Sequence, residues 1–349
     1  MRSFRFVLIA VAVSVPSLFA QVAKIDEGPG QTRSGFLAVP AGKDGAERIP
    51  VSVIHGSTRG PVLAVIAGTH GYEYPPILAT QRLLKEVDPA KLRGTVILVH
   101  VANMPSFLKR TIYYSPIDRE NLNRVYPGKP DGTISQRIAY VITQEVIEHA
   151  DYVIDMHCGD GNESLRPFSY WEPIGNSKLD EASKQMVVAF GIPNIVIDRS
   201  DPTNPAASRY CSNTGSTRGK PSITIESGGM GVADNEEDIA RVEQGVLNVM
   251  RHLGMLQGQA RMPANVTWYE PSKVLEFPTN LPEKQGLFFP KVQKAQMVDQ
   301  GALLGYVTDF FGKTIYELHA PFAGEVLYII RTPPISAGEP LAFVAAIKK

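Results

Sequence analysis

Cysteine is nearly absent. The 349-residue chain has two, Cys158 and Cys211, so a disulfide framework cannot be what holds it together. An oxidising compartment would permit the two to pair, and two independent thiols is the other reading. Excess charge of either sign is missing too, because 35 Lys and Arg balance 35 Asp and Glu. No basic stripe and no charged tail stands out, which excludes nucleic acid as an expected partner. Beyond the N-terminus no apolar run approaches the ~20 residues that a bilayer-spanning helix needs. Internal repeats and low-complexity tracts are also lacking. What is present is 44% hydrophobic and 20% charged residues, the balance of an ordered chain, at a length that suits two domains.

The first residues, MRSFRFVLIAVAVSVPSLFA, differ from the rest. Arg2 and Arg5 precede an apolar stretch from Phe6 to Val15, and Ala20 offers a small residue for cleavage. This is the pattern of a secretory signal peptide over residues 1–20. An uncleaved anchor is the alternative, but the run is short for one. The mature chain is therefore expected to be exported, periplasmic or secreted, with no stable membrane insertion after cleavage. Asn265-Val266-Thr267 is a glycosylation sequon that matters only on a eukaryotic secretory route.

Apolar runs of strand length recur along the chain: GFLAV (35–39), IPVSVIHG (49–56), VLAVIAG (62–68), TVILVHVAN (95–103), DYVIDMH (151–157), NIVIDRS (194–200) and SITIES (222–227). Helical patterns fall between them. PPILATQRLLKEV (75–87) begins with proline, which a first turn tolerates. Residues 135–149 carry Ile138, Val141, Ile142 and Ile147 at helical spacing. Residues 234–256 place Ile239, Val242 and Val246 on one face, with Asp234 and Glu237 resembling a capping box. Alternation of this kind predicts an α/β fold over residues 21–256, a mostly parallel mixed sheet flanked by helices. Near residue 257 the helices stop. GLFFPKV, GALLGYVTD and TIYELHAPFAGEVLYII predict a small C-terminal all-β domain over residues 257–349. Its APFAGEV segment resembles the barrel-sandwich of biotinyl and lipoyl domains, without the lysine-bearing turn those carriers modify.

Ligands of open α/β sheets gather at the carboxyl ends of strands. Three chemistry-bearing residues sit there: His70 just past VLAVIAG, His157 at the end of DYVIDMH, and Glu226 at the end of SITIES. His70 and Glu73 form His-x-x-Glu, two metal ligands from one short segment. Catalytic zinc takes three protein ligands and leaves a position for water, which makes His157 the candidate third. Glu226, beside a Gly pair, is a candidate for accepting a proton from such a water. Asn123 and Arg124 lie in the polar stretch DRENLNRVYPG, and the planar fork of Arg124 suits a substrate carboxylate. His55, His100, His149, His252 and His319 have no comparable partner and read as ordinary core or surface imidazoles.

Taken together, His70-Gly-Tyr-Glu73, Asn121-Leu-Asn-Arg124-Val-Tyr-Pro-Gly, Asp155-Met-His157 and Thr224-Ile-Glu226-Ser-Gly, in this order, resemble the succinylglutamate desuccinylase and aspartoacylase family, within the zinc carboxypeptidase-like group. The likeness covers roughly residues 35–349. It implies a zinc hydrolase with one Zn2+ per chain, ligated by His70, Glu73 and His157. Glu226 would be the general base, and Asn123 and Arg124 would bind the substrate carboxylate. Relatives carry a further Arg before Asn-Leu-Asn-Arg that polarises the scissile carbonyl. The matching position here is Pro116, and Arg110 or Arg119 stands as the substitute. The expected reaction is cleavage of an amide bond in a small carboxylate-bearing substrate. The alternatives are a zinc carboxypeptidase acting on peptides or wall-derived peptides, and a non-catalytic binding protein on the same fold.

Overall fold

A computed structural model describes residues 28–200 and 202–349. The expected signal peptide lies outside the described residues. Among them, no helix is long and apolar enough to cross a membrane.

The strands of the first part are β1 (Gln31–Gly42), β2 (Gly45–His55), β3 (Thr58–Ala67), β4 (Arg93–Val99), β5 (Tyr152–His157), β6 (Glu163–Leu165), β7 (Phe168–Trp171), β8 (Asn194–Ile197) and β9 (Ser222–Glu226). The helices are α1 (Tyr74–Glu86), α2 (Met104–Lys109), α3 (Ile134–Ile142), α4 (Ser177–Phe190), α5 (Cys211–Thr217) and α6 (Glu236–His252). Later come β10 (Thr267–Glu276), β11 (Gln285–Pro290), β12 (Met297–Val298), β13 (Leu303–Thr308), β14 (Thr314–His319), β15 (Gly324–Ile330), β16 (Pro334–Ser336) and β17 (Pro340–Ile347).

One mixed sheet of 13 strands organises the molecule, in the order β1-β2-β4-β3-β5-β9-β7-β8-β10-β17-β15-β12, with β6 paired to β15. Its centre, β4-β3-β5-β9, is parallel. The side-chain period of two divides each central strand between two cores. Leu63, Val65 and Ala67 of β3 pack on one side with Ile77 and Leu83 of α1, Met186 of α4 and Val242 of α6. Ala64 and Ile66 pack on the other with Ile138 and Val141 of α3. All five of these β3 residues are 0% exposed, which is why the strand reads as an unbroken apolar run. Each Leu, Val or Ile among them contributes roughly 1.5–3 kcal/mol on burial.

The sheet does not stop where the helices do. β10 runs parallel to β8 and antiparallel to β17. A second sheet, β14-β13-β11-β16, faces the end of the first across a separate core that includes Phe277, Phe288, Leu304 and Val344. This is the C-terminal antiparallel region expected from the short apolar runs.

Some local expectations change. The last helix begins at Glu236, and its N-cap is Asn235, whose side chain accepts from the Asp238 amide; Asp234 lies outside the helix. The stretch expected as one helix over 135–149 is α3 followed by a wider turn, Thr143–Ile147. Both cysteines are buried and free, so the pairing alternative is not realised.

Candidate active site

His70 follows β3, and Glu73 is the residue that begins α1. A carboxylate in that cap position ordinarily accepts from the amides of the second and third helical residues. Here those residues are Pro75 and Pro76, which have no N–H. Glu73 accordingly makes no capping bond. Its two oxygens serve two imidazoles: Oε1 lies 2.7 Å from Nδ1 of His70, and Oε2 lies 2.9 Å from Nδ1 of His157. The turn between the ligands is tight. A Cβ at Gly71 would lie 2.0 Å from the Phe107 backbone nitrogen, so no larger residue fits between His70 and α2.

The far nitrogen of each imidazole is also held. Nε2 of His70 is 3.1 Å from Asn121 Oδ1, and the same oxygen accepts from the Asn123 amide, which starts the short turn Leu122–Arg124. Nε2 of His157 is 3.2 Å from Asp155 Oδ2. Asp155 and His157 are two apart on β5 and so share a face. With both Nε2 atoms engaged, both Nδ1 atoms are left to converge. Ligand atoms of His70, Glu73 and His157 all lie within 4.8 Å of one another, and all three residues are buried. Two imidazole nitrogens and a carboxylate, each steered by a second partner, fit a three-ligand catalytic zinc site.

The charges inside are strongly coupled. Burial would raise the Glu73 carboxyl, but His157 and His70 outweigh it and hold it at about 2. For His157, burial works against the charge, while Asp155 and Glu73 together lift it well above the usual imidazole range. Glu226 sits on β9 directly in register with His157 on β5. Burial pushes its carboxyl well above the ordinary range, and His157 only partly offsets this.

Two adjoining cavities open here. One, of about 460 Å³, is lined by His70, Glu73, Arg124, Glu163, Glu226 and Tyr328. Tyr328, on β15, brings the C-terminal region into the site. The other, of about 200 Å³, continues past His157, Arg124 and Glu226 toward Glu172, Asp198 and Ser212. Arg124 lines both cavities, with its guanidinium 4.8 Å from the centre of the Tyr210 ring. Asn123 is buried. Its Oδ1 accepts from the Cys211 amide at 2.9 Å, which turns its Nδ2 toward Nε2 of His157 at 3.2 Å.

The expected residues do not all assemble. Arg110 and Arg119 are exposed and line neither cavity. Arg110 closes α2 at φ 53°, and Arg119 turns at φ 59° with its amide bonded to the Ser115 carbonyl, so each is committed to a surface turn. What the same loop contributes instead is Tyr113, at φ 56°, whose amide donates to Asp160 and whose hydroxyl donates to Glu163 at 2.7 Å. Sequence reasoning passed over Tyr113, Glu163, Glu172, Asp198 and Tyr328. Only Asp155 had a clear signal, its spacing of two from His157 on a strand.

This fold and site define a hydrolase of the parallel α/β type, with acid–base groups gathered at the carboxyl ends of the central strands. The chain belongs to the succinylglutamate desuccinylase/aspartoacylase family: residues 59–253 match that family's catalytic domain. Over 342 residues it is 29% identical to the N-alpha-acetyl-L-2,4-diaminobutyric acid deacetylase of Halomonas elongata, covering 93% of this chain and 94% of that one. Its fold is similar to the crystal structure of a succinylglutamate desuccinylase from Silicibacter sp. TM1040, with a TM-score of 0.78, 26% identity and coverage of 93% and 97% of the two chains. It is equally similar to the product-bound ectoine utilization protein of Ruegeria pomeroyi, with a TM-score of 0.78, 27% identity and coverage of 92% and 97%.

Proposed function

We propose that the protein is an exported zinc-dependent deacylase that hydrolyses the amide bond of an N-acyl amino acid. The observation that carries this reading is the convergence of two imidazole Nδ1 atoms on one carboxylate, with a second carboxyl in register on the neighbouring strand. A metal bound by His70, Glu73 and His157 would supply Lewis acidity for the carbonyl and for the attacking water. Glu226 takes the proton from that water as its oxygen bonds to the carbonyl carbon. It then hands a proton to the leaving nitrogen as the C–N bond breaks. Arg124 and Asn123 hold the substrate carboxylate, with the Asn123 side chain fixed by the Cys211 amide. The named substrate of the Halomonas relative, an N-acetylated diamino acid, supports the amide-bond chemistry. The size of the inner cavity, about 200 Å³, favours a single amino acid over a peptide.

Metal analysis beside a hydrolysis screen of N-acyl amino acids tests the reading. The wild type should carry about one zinc per chain, and His157→Ala should lose most of it. Full zinc in that variant would mean that the ligand set is wrong. Export rests on the sequence of residues 1–20 and is tested by mass spectrometry of the protein from its own host. An intact N-terminus on a soluble cytoplasmic protein would end that part of the proposal.

A further inference from the structure

The residues that line both cavities are His70, Arg124, Tyr170, Glu226 and Val274. In the deacylase reading the scissile amide lies at this junction, because a metal ligand, the base and the carboxylate-binding arginine all border it. His70, Glu226 and Arg124 have their tasks there, and Val274 has no polar side-chain atom. Tyr170 is left, and it is the one with a hydroxyl. Its place follows from the sheet, in which β9 lies between β5 and β7. Across these strands His157, Glu226 and Phe168 stand in one row, and Asp155, Thr224 and Tyr170 in the next. Side chains in register share a face, and so do residues two apart on one strand. Tyr170 therefore rises from the same face as His157 and Glu226, diagonal to Glu226. Such diagonal neighbours are about 7–8 Å apart at the backbone, a gap that a long aromatic side chain spans. The ring is held. Strand β7 is paired on both sides, to β9 and to β8. The ring meets Phe168 edge-on at 5.1 Å and lies tilted at 36° to Phe343 at 6.2 Å. The hydroxyl, in contrast, has no hydrogen-bond partner among the described residues.

We infer that Tyr170 is the residue that polarises the scissile carbonyl, its hydroxyl donating a hydrogen bond to the carbonyl oxygen. The inference rests on the deacylase reading and deepens it. As the water oxygen bonds to the carbonyl carbon, the π electrons move onto the carbonyl oxygen and the hydrogen bond from Tyr170 strengthens. The phenol keeps its proton throughout, and Glu226 carries the one that moves. A fixed donor aimed at charge that grows in the transition state accelerates the reaction without tightening substrate binding. This fills the place for which Arg110 and Arg119 were candidates, since both stand outside the cavities. The other tyrosines are placed less well. Tyr113, Tyr114 and Tyr328 border the outer cavity alone, and the Tyr113 hydroxyl is already given to Glu163. Tyr210 borders the inner cavity alone, beneath the Arg124 guanidinium. Burial, and next the Glu226 carboxyl, raise the Tyr170 pKa well above the ordinary tyrosine range, which suits a donor that is never spent.

Tyr170→Phe removes the hydroxyl and leaves the ring with its aromatic neighbours. The zinc-loaded full chain is run on the N-acetyl and N-succinyl derivatives of the protein amino acids. On the best of these the variant should lose about 10²-fold in kcat, with KM little changed. Calorimetry supplies a readout apart from turnover. The phosphonamidate of that substrate, tetrahedral at phosphorus and with an oxygen where the carbonyl oxygen gathers charge, should bind the variant at least roughly tenfold more weakly than wild type. The free product amino acid should bind both alike, and zinc content and thermal midpoint should not move. Wild-type kcat in the variant overturns the inference. So does a rise in KM alone, which would make Tyr170 a substrate-holding residue. Loss of zinc, or equal weakening of phosphonamidate and product, overturns it too and assigns Tyr170 to the scaffold. A wild type that hydrolyses nothing in the panel sinks the deacylase reading and this inference with it, whereas a variant that keeps pace with an active wild type sinks the inference alone.

Discussion

Two regions of the molecule bury carboxylates, and they do so differently. At the seam between the main sheet and the C-terminal region, Glu325 on β15 is 3% exposed. It is answered by Arg166 and by the Tyr269 hydroxyl, which donates to Oε2 at 2.7 Å. At the rim above β3, β5 and β9, Glu73, Asp155, Asp160, Glu163 and Glu226 crowd together. Among the described residues lining the two cavities, Arg124 is the only Lys or Arg. The consequences diverge. Burial lifts Asp160 to about 6 and Glu163 to about 7, and it raises Glu226 well above the ordinary carboxylate range. A buried carboxylate with its own arginine fastens one region to another. A group of them without one would be stabilised by a cation from outside, and that is the electrostatic condition for binding a metal.

The sharpest way to break this comparison is Glu226→Gln. If Glu226 moves protons, the amide should cost about 10²–10⁴ in kcat with little change in KM. Zinc content and thermal stability should hold or improve, because a costly buried carboxyl has gone. Near wild-type turnover, or loss of zinc, would put Glu226 among the structural carboxylates. Glu325→Gln should do the reverse. It leaves Arg166 without its partner and should lower unfolding free energy by on the order of 2 kcal/mol, moderated because Arg166 is 33% exposed. Zinc should remain, and denaturant melts with metal analysis would read both effects.

Glu163→Gln sharpens the contrast through pH. Its folded carboxyl titrates near 7 against an ordinary 4.5, with burial as the leading cause. A raised value means that the native state binds the proton more tightly. The stability this gives is fully present below about 4.5 and is lost as pH climbs through 7. The metal-free variant lacks that decline, so its advantage over metal-free wild type should grow from pH 5 to pH 8, by on the order of 1 kcal/mol. The bonds can be re-formed. The glutamine oxygen accepts from the Asp160 amide, while the Tyr113 hydroxyl turns to Asn162, now 3.2 Å away. A pH-independent difference between variant and wild type would count against the rim as a place of unmet charge.

The rim was only half legible in the sequence, for a physical reason. His70 and His157 stand at strand ends, where apolar periodicity stops abruptly, and Glu73 follows His70 at the start of α1, so the eye is led to all three. Asp198 also follows a strand that the sequence shows, but its neighbour Glu172 follows β7, which is four residues long and antiparallel to β9. A strand so short gives no periodicity to read. Helix α4 had its signals, with Asn176 as cap, Leu179, Met186, Val187 and Phe190 on one face, and Gly191 beyond its end. Overlooking it hid the crossover that puts β7 beside β8. Arg110 and Arg119, the expected substitutes for an arginine at Pro116, stand exposed on left-handed turns outside both cavities, and spacing along a loop gives no sign of such turns.

The smallest expected effect concerns His100, an imidazole away from the rim whose surroundings specify one neutral form. Thr80 Oγ1 donates to the Ile77 carbonyl, so toward His100 Nδ1, 2.9 Å away, it can only accept. Nδ1 therefore carries the proton, and Nε2 accepts from Ser52 Oγ at 2.7 Å. Ser34, 2.7 Å from Ser52, supplies the next donor. The whole chain of hydroxyls points one way, and a second proton on the ring would reverse the Ser52 end of it. Burial lowers the His100 pKa from 6.5, in the same direction. The sign follows: the unfolded chain takes up a proton that the native state refuses, so this contribution is intact above 6.5 and lost as pH falls through the lower folded value. The effect is at most about one proton, far less than a rim carboxylate commands. Calorimetric proton uptake on unfolding near pH 6 should be smaller in His100→Gln than in wild type. Equal uptake would show that His100 titrates alike folded and unfolded, and that a directional hydroxyl chain is too weak to fix the charge of a half-buried ring.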